Sequence, residues 1–527
     1  MFAASLQFDI ARGILAELRA AGYEAYLAGG CVRDLLLGRE PKDYDVATSA
    51  TPDVVLKMFK RTFGVGAHFG VVLVATRADG EDDDAVPEEK PDFILTEVAT
   101  FRSDGAYSDG RHPDAVRYTE SAEEDVRRRD FTINGLLLDP FRLRDSGPST
   151  RSLRELAQDD SGGVDSDRGG SDGDAGPSTR PSLRSGLAQD DILMGESLRA
   201  AVLDFVGGLA DLDAGVVRAI GLAELRFEED RLRMLRGVRF AARFGYSLEE
   251  RTRAAMRALA SRIHSVSRER VRDELTKMLT EGRARRAFEL LDETGLLQQV
   301  LPEIAKMKGV EQPPQFHPEG DVWTHTLMLL EQLEPGCEAT LAWGALLHDV
   351  GKPATFRRAP DRIRFDGHVE VGVAIAAEIC RRLRFSNEDT HQILALVENH
   401  MRFADAPRMK ASTLKRFFRL EHFELHLALH RMDCLAAHRI LENWEFVRER
   451  YEAMPEQTVR PQPLVTGREL IAAGYAPGPQ FKEILHAVED AQLEGVIATP
   501  EEAMEMVREK FGNRKQGPGI RDQGNGS

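Results

Sequence analysis

Cysteine is scarce in this 527-residue chain: Cys31, Cys337, Cys380 and Cys434 are the only four, and no two form a CxxC pair. That excludes a disulfide framework and a cysteine-rich zinc site. The sequence also has no run of about 18 apolar residues and no leader with a basic start and an apolar middle, so it predicts no membrane span and a cytoplasmic protein. An excess of positive charge is missing too, the formal net charge being −17. A nucleic-acid partner survives that deficit because the acid is concentrated. Residues 79–92 carry eight acids and one Lys, and residues 143–199 carry eleven acids and seven Arg, which together supply −11 of the −17. The remainder is close to balanced, and local basic patches decide contact with RNA.

With 42% hydrophobic residues the chain can bury sizeable cores, and its length predicts three or four domains. Near the start, Ala25-Tyr26-Leu27-Ala28 reads as a strand that runs into Gly29-Gly30, and Cys31 to Leu37 reads as a helix. Glycines at such a junction let backbone N–H groups approach a triphosphate, with the helix start adding positive potential. Gly30 and Arg33 are the candidate phosphate contacts, Arg33 through a bidentate charged bond. After the Gly38 turn, Asp43 and Asp45 fall at i and i+2 of an extended segment, so both carboxylates face one way. Two such oxygen ligands suit Mg²⁺. Either half alone is what steric turn preferences produce. In this order and spacing they point to nucleotidyl transfer.

The string AGGCVRDLLLGREPKDYDVAT resembles the head motif of the class II tRNA nucleotidyltransferase and bacterial poly(A) polymerase family, within the polymerase-beta-like nucleotidyltransferases. EVATFRSDGAYSDGRHPDAV, RRRDFTINGLLLDP and EEDRLRMLRGVRFAARFGY resemble that family's later motifs in its order. The resemblance implies an α+β protein: a polymerase-beta-like α/β head, then an all-helical neck, body and tail. It implies Asp43 and Asp45 as the catalytic, Mg²⁺-binding pair. Arg129 would contact the triphosphate, and Asp130 with Asn134 would position the sugar and the site. Gly135 stands where Ala is usual, a change that costs helix propensity. In the helix expected over EEDRLRMLRGVRFAARF, Asp230, Arg233, Arg236 and Arg239 recur every three residues as a slowly drifting stripe. Leu232, Leu235, Val238 and Phe240 mostly lie off it and can face a core. By resemblance Asp230 and Arg233 hydrogen-bond the edges of incoming CTP and ATP in place of a nucleic-acid template, while Arg236 and Arg239 reach the phosphates. A carboxylate that accepts from an amino group and a guanidinium that donates to a ring nitrogen suit that task. Glu97, in LTEVATFR, is a third acidic candidate whose facing the sequence leaves open.

A second ordered set lies between about 300 and 455: His325 in VWTHTLML, His348-Asp349 in LLHDVGKP, and Asp433 in LHRMDCL. It resembles the metal-dependent phosphohydrolases of the HD domain. Imidazoles with carboxylates suit a divalent transition metal that lowers the pKa of bound water. His368 and His400 fit a fuller ligand set, and Lys352 could contact a phosphate. A domain that keeps these ligands only to hold RNA is the alternative.

These readings divide the chain into a head at 1–224, a helical neck at 225–300, the HD domain at 301–455, an RNA-binding helical tail at 456–513 and a disordered end at 514–527. The head is interrupted at about 143–199 by a Ser/Gly/Asp/Arg-rich insertion, with an imperfect repeat of GPSTRSLRELAQDD, to which no catalytic role is given. Strand-like VLDFVGG at 202–208 resumes where LLLDP left off. The acidic stretch at 79–92 reads as an expanded hairpin loop. Basic helices at 262–300 and the glycine-rich LVTGRELIAAGYAPGPQFKEIL resemble the family's neck, body and tail, which implies a tRNA partner recognised by shape and backbone. The leading expectation is template-independent addition of C, C and A to tRNA 3′ ends. Alternatives are a poly(A) polymerase, an enzyme adding only CC or only A, and a phosphohydrolase whose head senses nucleotides. The sequence leaves the oligomeric state open.

Overall fold

A computed structural model describes residues 5–64, 70–77, 93–104, 116–143, 195–315 and 317–512. The expected acidic loop at 79–92, nearly all of the 143–199 insertion and the end of the chain lie outside the described residues. The chain divides into two compact units, Met1–Val266 and Ser267–Ser527.

The first unit is built on a mixed sheet. Its elements run α1 (Leu6–Ala20), β1 (Ala25–Ala28), α2 (Gly30–Leu36), β2 (Val46–Thr48), α3 (Pro52–Met58), β3 (Thr62–Phe63), β4 (Val71–Arg77), β5 (Phe93–Thr100), β6 (Arg102–Asp104), β7 (Val116–Tyr118), α4 (Ala122–Arg127), β8 (Leu136–Leu138) and β9 (Val202–Asp204). The strand order in the main sheet is β3-β4-β5-β2-β1-β8-β9, and β6 pairs with β7 apart from it. Within the main sheet only β2 and β5 are parallel.

The sequence pattern explains the layers. Helix α1 starts on Ser5, whose side chain accepts from the Phe8 N–H, and buries Ala11, Ile14, Leu15 and Leu18. Those positions are three or four apart and form one stripe. They pack with Leu27, Val46, Val98, Leu136 and Leu138. The alternate strand residues Ala28, Ala47 and Leu137 turn to the opposite face and meet Phe101, Ala122 and Val126. A sheet buried on both faces needs such strands to be apolar throughout, which is why LLL at 136–138 shows no alternation. Strands β8 and β9 pair antiparallel, Leu136 opposite Asp204, although the whole inserted segment separates them in sequence.

The helix expected over EEDRLRMLRGVRFAARF is broken. Ala223–Glu229 and Leu232–Phe244 are separate helices, with Asp230 extended between them at φ −139°. Asp230 Oδ1 accepts the Leu232 N–H at 3.0 Å, a capping bond that favours starting a new helix over continuing the old one. The second helix ends at Gly245, whose φ of 72° is in the left-handed region that favours glycine.

Apart from the short pairing of Arg357–Arg358 with Ile363–Arg364, the described part of the second unit is helical. At its centre, Ala339–Leu347 is apolar on every side, and Thr340 through Leu347 are all buried. At its far end, Gly467–Ala472, Pro479–Glu494 and Pro500–Phe511 share a separate core of Val465, Leu470, Ile484, Val488 and Val507. Two of these helices begin with reciprocal capping boxes, Thr466 with Glu469 and Thr499 with Glu502.

Candidate functional site

In the first unit the glycine turn and the carboxylates are backbone neighbours. The Ala28 N–H donates to the Asp45 carbonyl at 3.0 Å, and the Gly29 N–H donates to the Leu136 carbonyl at 3.1 Å. Gly29 has a φ of +73°, and a β-carbon there would lie 3.1 Å from Arg129 Nη1. The turn is therefore glycine both for its conformation and for the close approach of Arg129. Asp43 is exposed, Tyr44 is buried and Asp45 is intermediate, the alternation expected of an extended segment. Because Val46 pairs with Val98 in the parallel ladder, one residue back Asp45 lies beside Glu97. Burial, and then the charge of Glu97, push the Asp45 carboxyl up to about 6; Arg129 opposes them and Asp43 adds to them. The register thus answers the facing of Glu97, which the sequence had left open.

A polar chain links α2 to the turn Thr132–Asn134 and on to the helix Leu232–Phe244. Arg33 is only 4% exposed; it pairs with Asp34 at 2.8 Å, donates from Nη1 to Asn134 Oδ1, and lies over the rings of Phe240 and Phe244. Asn134 Nδ2 donates to Asp130 Oδ1 at 3.1 Å, and Arg236 reaches Asp130 Oδ2 through Nε at 2.8 Å and Nη2 at 2.7 Å. Asp130 is held down at about 2: burial opposes this, but Arg236, Asn134 and Arg233 outweigh it. Arg233 donates to Glu229 Oε2 at 2.7 Å, to the Arg226 carbonyl at 3.2 Å and to the Arg128 carbonyl at 3.1 Å. Arg239 is buried over the Phe240 ring at 4.4 Å. The arginine stripe is therefore mostly an internal framework, not a solvated face.

Gly135 has a structural cause. It follows the turn and lies outside any helix, and a β-carbon there would fall 2.8 Å from Val206 Cγ2. Tight packing, more than helix propensity, governs that position. Sequence reasoning missed Asp125, which is buried and grips both Arg128 and Arg129. Its three- and four-residue spacing to those arginines on a helix was the available signal.

In the second unit, all the expected histidines and aspartates converge. His325 Nε2 is 3.1 Å from Asp433 Oδ1 and 3.3 Å from His348 Nε2, and His348 Nε2 is 3.1 Å from Asp349 Oδ2. His368 and His400 approach the other oxygen, Asp349 Oδ1, at 3.9 and 3.8 Å. The donors form two clusters that could each hold a cation: His325, His348 and Asp433; and Asp349, His368 and His400. Nδ1 of His348, His368 and His400 bonds to backbone carbonyls, which turns each Nε2 inward. The buried Nε2 atoms of His368 and His400 have no hydrogen-bond partner, as ligand atoms awaiting a metal would. Burial alone would lower His325, but its bonds with Asp433 and Glu319 raise it to about 9. Burial and the neighbouring His348 lower His400 to about 4. Asp349 is held well below the usual carboxylate range, despite burial, by His348 and Lys352, and Lys352 Nζ is 2.7 Å from both Asp349 Oδ2 and Gln312 Oε1. Glu319, which sequence reasoning missed, lies 2.7 Å from His325 Nδ1. A cavity of about 760 Å³ opens onto Asp349, His368, His400 and Asp433, with Phe365 and Arg362 also on its walls.

Backbone contact closes this site. A β-carbon on Gly351, in the HDVGKP turn, would lie 2.1 Å from the His368 carbonyl oxygen and 2.6 Å from the Gly372 nitrogen. Only glycine lets the turn carrying Asp349 rest against the helix that begins at His368.

Comparison with known proteins follows the same order along the chain. Residues 25–152 match the model described as Poly A polymerase head domain, 245–308 the probable RNA and SrmB-binding site of polymerase A, and 368–507 the putative tRNA nucleotidyltransferase domain 2. The CCA-adding enzyme of Levilactobacillus brevis is 27% identical over 94% of this chain and 96% of its own length. That of Geobacillus thermodenitrificans is 34% identical over 57% of this chain and 56% of its own. The crystal structure of the Bacillus stearothermophilus CCA-adding enzyme in complex with CTP superposes with a TM-score of 0.61 at 25% identity, covering 95% of this chain and 98% of that one. Among the described residues, no helix is long and apolar enough to cross a membrane. Family models thus match its beginning, middle and end in order, and relatives align over nearly its whole length, so the chain is similar throughout to tRNA nucleotidyltransferases and poly(A) polymerases.

Proposed function

We propose that this protein adds C, C and A to the 3′ end of tRNA from CTP and ATP, without a nucleic-acid template and with release of pyrophosphate. The observation that carries the reading is Asp45 beside Glu97, raised to about 6 and adjoining the glycine turn, in a chain matched end to end by CCA-adding enzymes. Like charges held together against their own repulsion suit a divalent cation. Asp43 and Asp45 would hold Mg²⁺, with Glu97 beside them. Bound there, Mg²⁺ supplies activation of the tRNA 3′-hydroxyl and neutralisation of the leaving pyrophosphate. Arg129, against the Gly29-Gly30 turn, binds the triphosphate and orients its α-phosphorus. The new bond joins the 3′-oxygen to that phosphorus as the bond to the pyrophosphate oxygen breaks.

Asp230 and Arg233 read the base. Arg233 is already oriented by Glu229 and two carbonyls, so it meets the base with little ordering left to do. Arg33, Asp130, Asn134, Arg236 and Arg239 form the frame behind them, and Gly30 opens α2. The head at 1–224, the neck at 225–300, the HD domain at 301–455 and the tail at 456–513 are the working divisions, with the basic helices of neck and tail meeting the tRNA.

A second activity is favoured by the orphaned His368 and His400 nitrogens. The cluster of His325, His348, Asp349 and Asp433, extended by His368 and His400, would hold one or two divalent transition metals. Such metals, when bound, would supply Lewis-acid activation of water for hydrolysis of phosphoesters. Lys352 and Arg362 give the cavity a positive wall for the phosphate.

Incubation with Mg²⁺ and tRNAs ending in the discriminator base, C or CC, with CTP and ATP supplied singly and together, tests the main reading. Growth that stops at CCA is the expected result. Stopping at CC, adding only the last A, or making long A tails would replace it with one of the narrower or polymerising alternatives. Asp230→Ala is expected to lower discrimination between CTP and ATP by about 10-fold or more, since one good bidentate base contact is worth about 1–3 kcal/mol. It also removes the cap on Leu232, so melting temperature is measured beside the nucleotide ratio. A variant that keeps the wild-type ratio would remove Asp230 from the base site.

A further inference from the structure

We infer that Asp125 is a positioning residue that sets the phosphate side and the base side of the nucleotide site together. It lies on α4, 1% exposed, and its two carboxylate oxygens are divided between neighbouring arginines. Oδ1 accepts from Arg128 Nε at 2.9 Å and Nη2 at 2.7 Å, and from the Arg102 N–H at 3.3 Å. Oδ2 accepts from Arg129 Nε at 3.3 Å and Nη2 at 2.9 Å.

The consequences run in two directions. With Nε and Nη2 of Arg129 tied to Asp125, Nη1 is turned toward the Gly29 backbone, 3.1 Å from where a β-carbon would be. From there the Arg129 charge acts on Asp45. In the other direction, the Arg128 carbonyl accepts from Arg233 Nη2 at 3.1 Å, so fixing residue 128 also fixes one anchor of Arg233. A guanidinium held by two bonds in a planar fork has little freedom left, which is how one buried acid can aim two other groups. A buried ion pair is weak evidence for stability, because desolvation offsets its attraction. Fixed geometry is what this cluster supplies.

The inference rests on the reading that Arg129 faces the triphosphate and Arg233 the base. The test uses the full chain with Asp125→Asn, Asp125→Glu, Arg129→Ala and the Asp125→Asn/Arg129→Ala pair, assayed for KM and kcat with CTP and with ATP and for Tm. Asp125→Asn is expected to raise KM for both nucleotides by about 10- to 100-fold, in line with small misplacement of a binding group. Asp125→Glu should recover part of that loss. Arg129→Ala should cost much in the wild type and little more once Asp125 is Asn, because both changes remove the same contact. Unchanged KM in Asp125→Asn with an impaired Arg129→Ala, or losses that multiply in the double variant, would overturn the positioning role. If Asp125→Asn fails to fold, Asp125→Ser, which also lacks the carboxylate, carries the test, and wild-type KM values in it would overturn the role equally. Unchanged KM in Arg129→Ala would overturn the nucleotide-site reading itself.

Discussion

Asp45→Asn is expected to reduce nucleotidyl transfer by about 1,000-fold or more with every nucleotide and every tRNA end, while leaving the protein at least as stable as before. The two halves of that expectation have one cause. Burial and the neighbouring Glu97 charge raise the folded-state pKa of Asp45 to about 6. The folded state therefore binds the Asp45 proton more tightly than the unfolded chain does, so stability from this group rises as pH falls from about 6 toward 4. At neutral pH the ionised carboxylate costs stability, on the order of 1–3 kcal/mol before any cation is bound. The amide removes that cost together with the metal ligand. A gain in Tm with loss of activity is the signature of a site built against the fold's own preference. Rate measurements with Mg²⁺ kept limiting check the same point in the wild type: activity should be present above about pH 6 and fall below it, and saturating Mg²⁺ should move the fall to lower pH. Retained transfer in Asp45→Asn would end the metal-site reading.

Asp349→Ala carries the second large effect, expected in the other unit and the other reaction. Its Oδ1 faces His368 and His400 while its Oδ2 lies 3.1 Å from His348 Nε2, so its removal takes a donor from one cluster and a close neighbour from the other. Metal-dependent hydrolysis of a nucleoside 2′,3′-cyclic phosphate is expected to fall by about 1,000-fold or more, and bound metal by elemental analysis to fall with it. Addition of C and A to tRNA should stay at the wild-type rate. The metal-free wild type has its own prediction. His325, raised to about 9 by Asp433 and Glu319, holds its proton at pH 7, and coordination must displace it. Loading with Mn²⁺ or Zn²⁺ at pH 7 in weak buffer should release protons, and apparent affinity should climb as pH rises toward 9. Hydrolysis that is indifferent to both metal removal and Asp349→Ala would leave the cluster a structural one.

The sequence made some of this legible for definite reasons. The strand, glycine turn and helix at 25–36 carry local signals strong enough to be read one residue at a time, and they stand where expected. Resumption of the head at β9 was legible because apolar strand patterns stand on either side of the insertion; its antiparallel pairing with β8 was not. Glu97 was not placed, because its position beside Asp45 follows from a parallel pairing between strands about 50 residues apart, and register across such a distance leaves no local trace. The break at Asp230 was hidden by the drifting stripe of arginines, which suits a helix on either side of the break. Arg239, read as reaching a phosphate, is also buried over the Phe240 ring, and Arg33, read as a phosphate contact, also lies over Phe240 and Phe244; periodicity cannot distinguish such cation–aromatic packing from a polar face. Glu319 escaped because it lies in a loop, six residues from the histidine it holds.

The contact of Gly351 with the His368 backbone has a consequence for how such a protein can change over generations. Two of the proposed metal ligands are kept together by the absence of a single side chain, so one codon change at Gly351 to any larger residue would pry the second centre open. The first unit has its own cores and its own carboxylates, and nothing in them depends on that glycine. The proposed hydrolytic activity can therefore be lost in one mutational step from a lineage that goes on making tRNA ends, whereas regaining it would require glycine to return to that one position.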